Sequence, residues 1–177
     1  MCGEIFSTTL TPVRTPDVEL SLDDIRVVTR FAVACASSVL TTFQEVAPGD
    51  DRPRRALAAA LAFAGGGPRT QDLRTTAVAA HRAAKQVDDD RAHHAAIAAG
   101  DAAASAYLHP LADATQVRHI LGAAAHAALA RPDERADEPL ALADDHLRDV
   151  LQRYPRTSPG STELTRLAHH LDGRLRA

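Results

Sequence analysis

Apolar residues recur every three or four positions through most of the chain, which is the spacing of amphipathic α-helices. The clearest stripe begins after Ser21, where the serine and a carboxylate three residues later, at Asp24, form a pattern typical of a helix N-cap. No stretch of useful length alternates apolar and polar residues as a strand does. The stripe of this first helix contains Leu22, Ile25, Val28, Phe31, Ala32, Cys35, Val39 and Phe43.

Proline, glycine and aspartate residues interrupt this pattern and set the ends of the predicted helices. Residues 1–20 show no periodicity and predict an irregular N-terminal arm, whereas residues 155–161 predict a linker before the last helix. Short connections favour antiparallel neighbours, so the predicted fold class is all-α: a compact antiparallel bundle of six to seven alanine-rich helices in one domain, residues 21–177. The helices are expected at 22–46, 53–64, 70–87, 90–108, 110–130, 139–154 and 162–175.

Composition changes the expected character of the core. The chain has 177 residues, which is the size of one ordinary domain, and 45% of them are hydrophobic. Alanine supplies much of that share and aromatic residues only 3%. The core is therefore expected to consist of many close helix contacts, with few large side chains.

Charge and cysteine content narrow the expected partners and compartment. The net charge is −3 and neither sign forms a long block, so nucleic acid is not an expected partner. The two cysteines, Cys2 and Cys35, predict no disulfide framework, which favours a reducing cytoplasm. The first residues lack the basic region of a signal peptide and no later segment is expected to span a membrane, so cytoplasmic localisation without a membrane partner is predicted.

The fifth predicted helix carries polar side chains on one face of an alanine-rich segment. His119 lies between Thr115 and His126 on this face, and Gln116 lies beside it. His119 and His126 are separated by about 10 Å along the helix, too far to share a metal ion, and no metal site is expected. His119 either donates to a backbone carbonyl as a structural residue or contributes to a ligand site.

Two further groups of residues are candidates for the same site. His109 precedes Pro110 and is expected near a helix N-terminus, with Tyr107 close by; His109 and His119 are the candidates for a general acid or base. On the third helix, Arg74 and His81 lie seven residues apart and so share a face. If both face inward, they and the polar face of the fifth helix would line one cavity. The glycines at 65–67 and Arg69 indicate either a helix end and turn or an anion site.

Sequence motifs of well-known enzyme classes are missing. HExxH, CxxC, GxSxG, GxGxxG and GxxxxGK do not occur, so no cofactor is expected. The aspartate-rich run 144–149 is interpreted as a solvated helix face, and the tripled aspartate at 88–90 as a helix boundary.

Several segments resemble a known family. LDDIRVVTRFAVACA, DDRPRRALAAALAFAGG, LRTTAVAAHRAAK and especially AYLHPLADATQVRHILGAAAHAA are similar to the actinobacterial immunity-protein-five-like family over about residues 20–155. The resemblance implies a small, all-helical cytoplasmic protein named by analogy with proteins that neutralise toxins in bacterial competition. The residues at the family's recurring polar positions are Arg74, His81, Tyr107, His109, Thr115, Gln116 and His119.

Three functional hypotheses follow. The resemblance favours an immunity-type binding protein that neutralises a toxin or a toxic metabolite by binding it. The polar face favours a small-molecule-binding protein or an enzyme, with a pocket between helices lined by His and Arg residues and a bacterial metabolite as ligand. The alanine-rich faces favour a structural oligomerisation module. The predicted binding residues are Arg69, Arg74, His81, Tyr107, His109, Thr115, Gln116 and His119.

Overall fold

Helices account for all regular secondary structure in the residues described here. The computed structural model describes residues 17–131 and 137–177, which contain seven α-helices and three short 3₁₀ helices. Strands are absent from these two ranges, and an isolated bridge between Asp17 and Leu111 is their one β-type contact. The all-α prediction is confirmed. The α-helices are α1 Leu22–Val46, α2 Arg52–Ala64, α3 Gln71–Ala84, α4 Asp90–Ala104, α5 Val117–Ala130, α6 Asp145–Gln152 and α7 Glu163–Leu175.

Helix α1 begins and ends where the sequence pattern predicts. The Ser21 hydroxyl accepts a hydrogen bond from the Asp24 amide, and the Asp24 carboxylate accepts one in return from the Ser21 amide, which completes a capping box. The predicted apolar stripe is buried except for Leu22, which is 45% exposed. Phe43, the last member of the stripe, is fully buried. α1 packs against α2, α4, α5 and α6.

Helix α4 is surrounded by other helices, because it packs against α1, α2, α3 and α5. Its buried residues are alanines apart from Gly100. Small side chains let helix axes approach closely, since the distance between packed helices depends on the side chains at the contact. The expected core of many close helix contacts is present in this part of the chain.

The connection between α4 and α5 differs from the prediction. α4 ends at Ala104 and α5 begins at Val117, after 3₁₀ turns at Ser105–Tyr107 and Ala114–Gln116, so the expectation that Pro110 opens a helix is wrong. The amide of Val18 donates a 2.7 Å hydrogen bond to the Pro110 carbonyl. A contact from a residue 92 positions earlier in the chain therefore holds this segment extended.

The sixth helix also begins later than predicted. A 3₁₀ turn, Glu138–Leu142, precedes it, and α6 begins at Asp145 with the Asp144 side chain accepting a hydrogen bond from the Leu147 amide. The run 144–149 therefore starts with a helix cap and is not only a solvated face. α7 is capped by Thr162, one residue later than predicted.

Helix α1 corrects the expectation that no segment is long enough to cross a membrane. By length and composition alone α1 meets that criterion. However, 56% of its most apolar 18-residue window is buried by the rest of the protein. Packing in the core accounts for the apolar character of α1. Of the predicted N-terminal arm, residues 1–16 lie outside the described ranges.

Candidate functional site

A cavity of about 380 Å³ lies among α3, α4, α5, α7 and the turn that precedes α5. Its wall brings together four of the predicted binding residues: His81, Thr115, Gln116 and His119. The polar side chains that the sequence analysis did not assign to it are Asp101, Arg118 and Thr165. The lining is completed by Ala104, Gly122, Ala125, His126, Leu164 and Ala168.

A histidine–aspartate pair forms one wall of the cavity. His81 Nε2 of α3 lies 3.0 Å from Asp101 Oδ1 of α4, and both side chains remain partly exposed. A Cβ atom on Gly122 of α5 would lie 2.8 Å from Asp101 Oδ2, and one on Gly100 would overlap the His81 ring. The two glycines therefore make room for the pair. Asp101 is the one charged residue between positions 95 and 106, and this isolation was the available sequence signal.

His119, on α5, lines the same cavity. Among the described residues its ring has no hydrogen-bond partner, so the structural interpretation, donation to a backbone carbonyl, is wrong. Burial lowers the pKa of His119, while the negative charge of Asp101 opposes that shift. A neutral imidazole can donate from one nitrogen and accept at the other. A role of His119 as a general acid or base stays a prediction.

His126 contacts a second histidine that sequence reasoning did not place there. Its Nδ1 lies 2.9 Å from Nδ1 of His94 on α4, so one ring donates a proton and the other accepts it. Burial lowers the pKa of His126 to about 4 and also lowers the pKa of His94. Both rings are therefore neutral around pH 7. The hydrogen bond to His94 gives His126 a structural role between α4 and α5.

The rim of the cavity is formed by the turn before α5. Gln116 Oε1 accepts a 3.1 Å hydrogen bond from the His109 amide, and the Thr115 amide donates to Asp113. His109 itself is exposed and does not line the cavity. Its carbonyl accepts a hydrogen bond from Tyr154, so His109 lies in a non-helical connection, and the expectation that it lies near a helix N-terminus is wrong because α5 begins only at Val117.

Arg74 does not join His81 in the cavity, which corrects the expectation of one shared site. The Arg74 guanidinium lies 4.8 Å from the centre of the Tyr107 ring, and the Arg69 guanidinium lies 5.8 Å from it. The Tyr107 hydroxyl donates a hydrogen bond to the Thr70 carbonyl, just before α3. We call Arg69, Arg74 and Tyr107 the arginine–tyrosine surface.

The glycine run before α3 forms a helix end. The amides of Gly65, Gly66 and Gly67 donate to carbonyls of α2, and Gly66 has a φ of 105°, a left-handed conformation that favours glycine. Because these amides are already paired, they do not form the alternative anion site. Within residues 17–131 and 137–177, no three His, Cys, Asp or Glu side chains are grouped as a metal site would require.

Comparison with known proteins identifies the family of this chain. Residues 19–156 match the family described as "Imm-5 like putative immunity protein". No curated protein and no solved structure matches the chain. The match begins just before α1 and ends after α6, so it includes every helix that lines the cavity except α7. Since the match covers most of the chain, this protein belongs to the family of that description.

Proposed function

We propose that this protein neutralises a toxin by binding it directly. The observation that carries the proposal is membership of the immunity protein family over residues 19–156. A protein that acts by occupying its partner needs a stable surface with groups that bind strongly, and it needs no reactive group of its own.

The arginine–tyrosine surface is the part of the molecule that best fits such an interface. Arg69 and Arg74 are exposed and have no carboxylate partner within residues 17–131 and 137–177. Arginine and tyrosine are enriched among residues that dominate binding energy at protein interfaces. Two guanidiniums beside one tyrosine ring also attract acidic partners and accelerate association. The partner surface proposed here is therefore acidic.

The test begins with finding the toxin. Each protein encoded next to this gene is expressed in a bacterial host with and without this chain, and growth is recorded. We expect one neighbour to arrest growth, this chain to restore it, and the purified pair to form a stable complex in calorimetry. Restored growth without a complex would contradict neutralisation by binding.

The same complex tests the surface. Replacing Arg69 and Arg74 by Gln should weaken binding by about a hundredfold, because each buried charged contact contributes on the order of 1.5 kcal/mol. The matched control replaces Arg55 and Arg82, which are also exposed arginines, and should leave the affinity unchanged. Equal affinities of the two double variants would show that another face binds the toxin.

A further inference from the structure

The cavity contains two opposite charges that do not neutralise each other. Asp101 and Arg118 both line it, yet they form no ion pair. Asp101 Oδ1 contacts His81, whereas Asp101 Oδ2 has no hydrogen-bond partner among the described residues. Arg118 likewise has no carboxylate partner in those residues. Each charge is therefore open to a group from outside the protein.

Helix α5 relates the positions from which the two charged side chains enter the cavity. Arg118 and Gly122 are four residues apart on this helix, so they lie on the same face about 6 Å apart along its axis. The Asp101 carboxylate lies against Gly122, at the distance where a side chain on residue 122 would touch it. The backbone position that carries Arg118 therefore lies about one helical turn from the residue against which the Asp101 carboxylate lies.

The remaining polar groups add hydrogen bonds without adding charge. His119 has an unpartnered ring, and its pKa is lowered by burial, so it is neutral around pH 7. Thr115 and Gln116 contribute a hydroxyl and an amide to the wall. A volume of about 380 Å³ falls within the range of small-molecule sites.

We propose that the cavity binds a small zwitterion, with the ligand's ammonium group on Asp101 and its carboxylate on Arg118. The neutral ring of His119 accepts a further hydrogen bond from the ammonium group, which a protonated ring would repel. This site is separate from the arginine–tyrosine surface and does not depend on toxin binding. A ligand with two carboxylates would place one of them against Asp101, and a ligand with two ammonium groups would place one of them against Arg118. Like charges would then repel each other at one end of the cavity.

Three probes of nearly equal length separate these cases: 5-aminopentanoate, glutarate and cadaverine. Each is titrated into the full chain at pH 7.5, and binding is followed by calorimetry and by the NMR signals of the His81 and His119 rings. We expect saturable binding of 5-aminopentanoate that shifts both ring signals, and binding of the other two at least about tenfold weaker. The proposal would be overturned if glutarate or cadaverine bound as tightly as 5-aminopentanoate. It would also be overturned if 5-aminopentanoate did not bind.

Variants test the assigned residues. Asp101→Asn and Arg118→Gln should each weaken 5-aminopentanoate binding by about tenfold, as loss of one charged hydrogen bond does. Asp72→Asn and Arg82→Gln remove the same charges from exposed positions on α3 and should have no effect. Unchanged affinity in Asp101→Asn or Arg118→Gln would overturn the assignment.

A third variant keeps both charges. Gly122→Ala places a methyl group 2.8 Å from the present position of Asp101 Oδ2, so the carboxylate must move. We expect weaker binding with an unchanged far-ultraviolet circular dichroism spectrum. Full affinity in this variant would contradict a ligand held at Asp101. Because no toxin takes part in these experiments, their outcome is independent of the proposed immunity function.

Discussion

Among the individual side chains, His126 combines deep burial with a hydrogen bond to another imidazole. It is 7% exposed, and burial lowers its pKa from 6.5 to about 4. The negative charge of Asp101 opposes this shift, whereas repulsion from the protonated forms of His94, His93 and His81 lowers the pKa further. The folded protein therefore resists protonation of this ring.

Protonation of His126 makes the free energy of unfolding depend on pH. Between pH 6.5 and pH 4 the unfolded chain binds a proton at His126 that the folded chain does not, so the free energy of unfolding falls as the pH falls. The contribution is fully present above pH 6.5 and its loss amounts to about 3 kcal/mol near pH 4. Urea unfolding at several pH values measures it.

A comparison of variants assigns the effect to His126. His126→Gln should flatten the dependence over this pH range, whereas His109→Gln, at an exposed histidine outside the cavity, should leave it unchanged. The same slope in wild type and His126→Gln would show that another group causes the loss.

Single positions also show how far the sequence could predict the site. The shared face of His119 and His126 on α5 follows from helical periodicity, and both residues do line one cavity. Arg74 was expected there because it lies seven residues before His81, but its guanidinium packs on Tyr107. Periodicity predicts which face of a helix a residue occupies. It does not predict the direction of a long side chain such as that of Arg74, because this depends on the Tyr107 ring from another segment.

Helices α1 and α6 are joined by one carboxylate. Asp24 caps α1 and also contacts His146 and Arg153, at 2.7 Å and 3.0 Å. Burial would raise the pKa of Asp24, but hydrogen bonds from His146, Ser21 and Arg153 outweigh burial and hold the pKa well below its ordinary value. The charged form therefore stabilises the fold above the ordinary carboxyl pKa, and this contribution is lost in strong acid.

Removing this charge should loosen the attachment of α6. We expect Asp24→Asn to lower the free energy of unfolding by about 2 kcal/mol at pH 7, because α1 loses its capping carboxylate and Arg153 loses a charged hydrogen bond. Asp23→Asn is the matched control, since Asp23 is exposed and pairs only within the first turn of α1; its effect should be below about 0.5 kcal/mol. Equal stabilities of the two variants in urea would contradict this role of Asp24.

Element boundaries were predictable where the signals are local. The capping box at Ser21 and the glycines after α2 act on their own helices, and both ends appear as predicted. The corner between α4 and α5 was not predictable, because the amide of Val18 holds Pro110 there. Such a contact joins residues that are distant in sequence and leaves no periodic pattern.

At the scale of the whole molecule, Asp172 attaches α7 to the linker that joins it to the family-matched part. The Asp172 carboxylate accepts hydrogen bonds from the Thr157 amide and hydroxyl, at 2.9 Å and 3.0 Å, and pairs with Arg176. It is almost fully buried. Position 172 therefore fixes the linker against the helix that closes one side of the cavity.

Loss of this attachment should be detected at His119. In Asp172→Ala we expect α7 to separate from α5 more often, so the cavity becomes wetter. The pKa of His119 should then rise towards its ordinary value, because burial is the main cause of its lowering. NMR titration of the His119 ring and hydrogen exchange of the α7 amides measure the two effects.

Asp137 provides the control for this prediction. It contacts the same helix through His170 and Arg174, but these side chains are exposed, so Asp137→Asn should change neither measurement appreciably. A His119 pKa that is identical in wild type and Asp172→Ala would contradict a closing role for α7.

The wall contributed by α7 has an evolutionary consequence. Leu164, Thr165 and Ala168 lie beyond the last residue that matches the family, yet they form part of the cavity. Mutations at these three positions can alter the shape of the chamber while the alanine-packed core keeps its sequence. The shape of the chamber can therefore vary among related proteins without changes in α4.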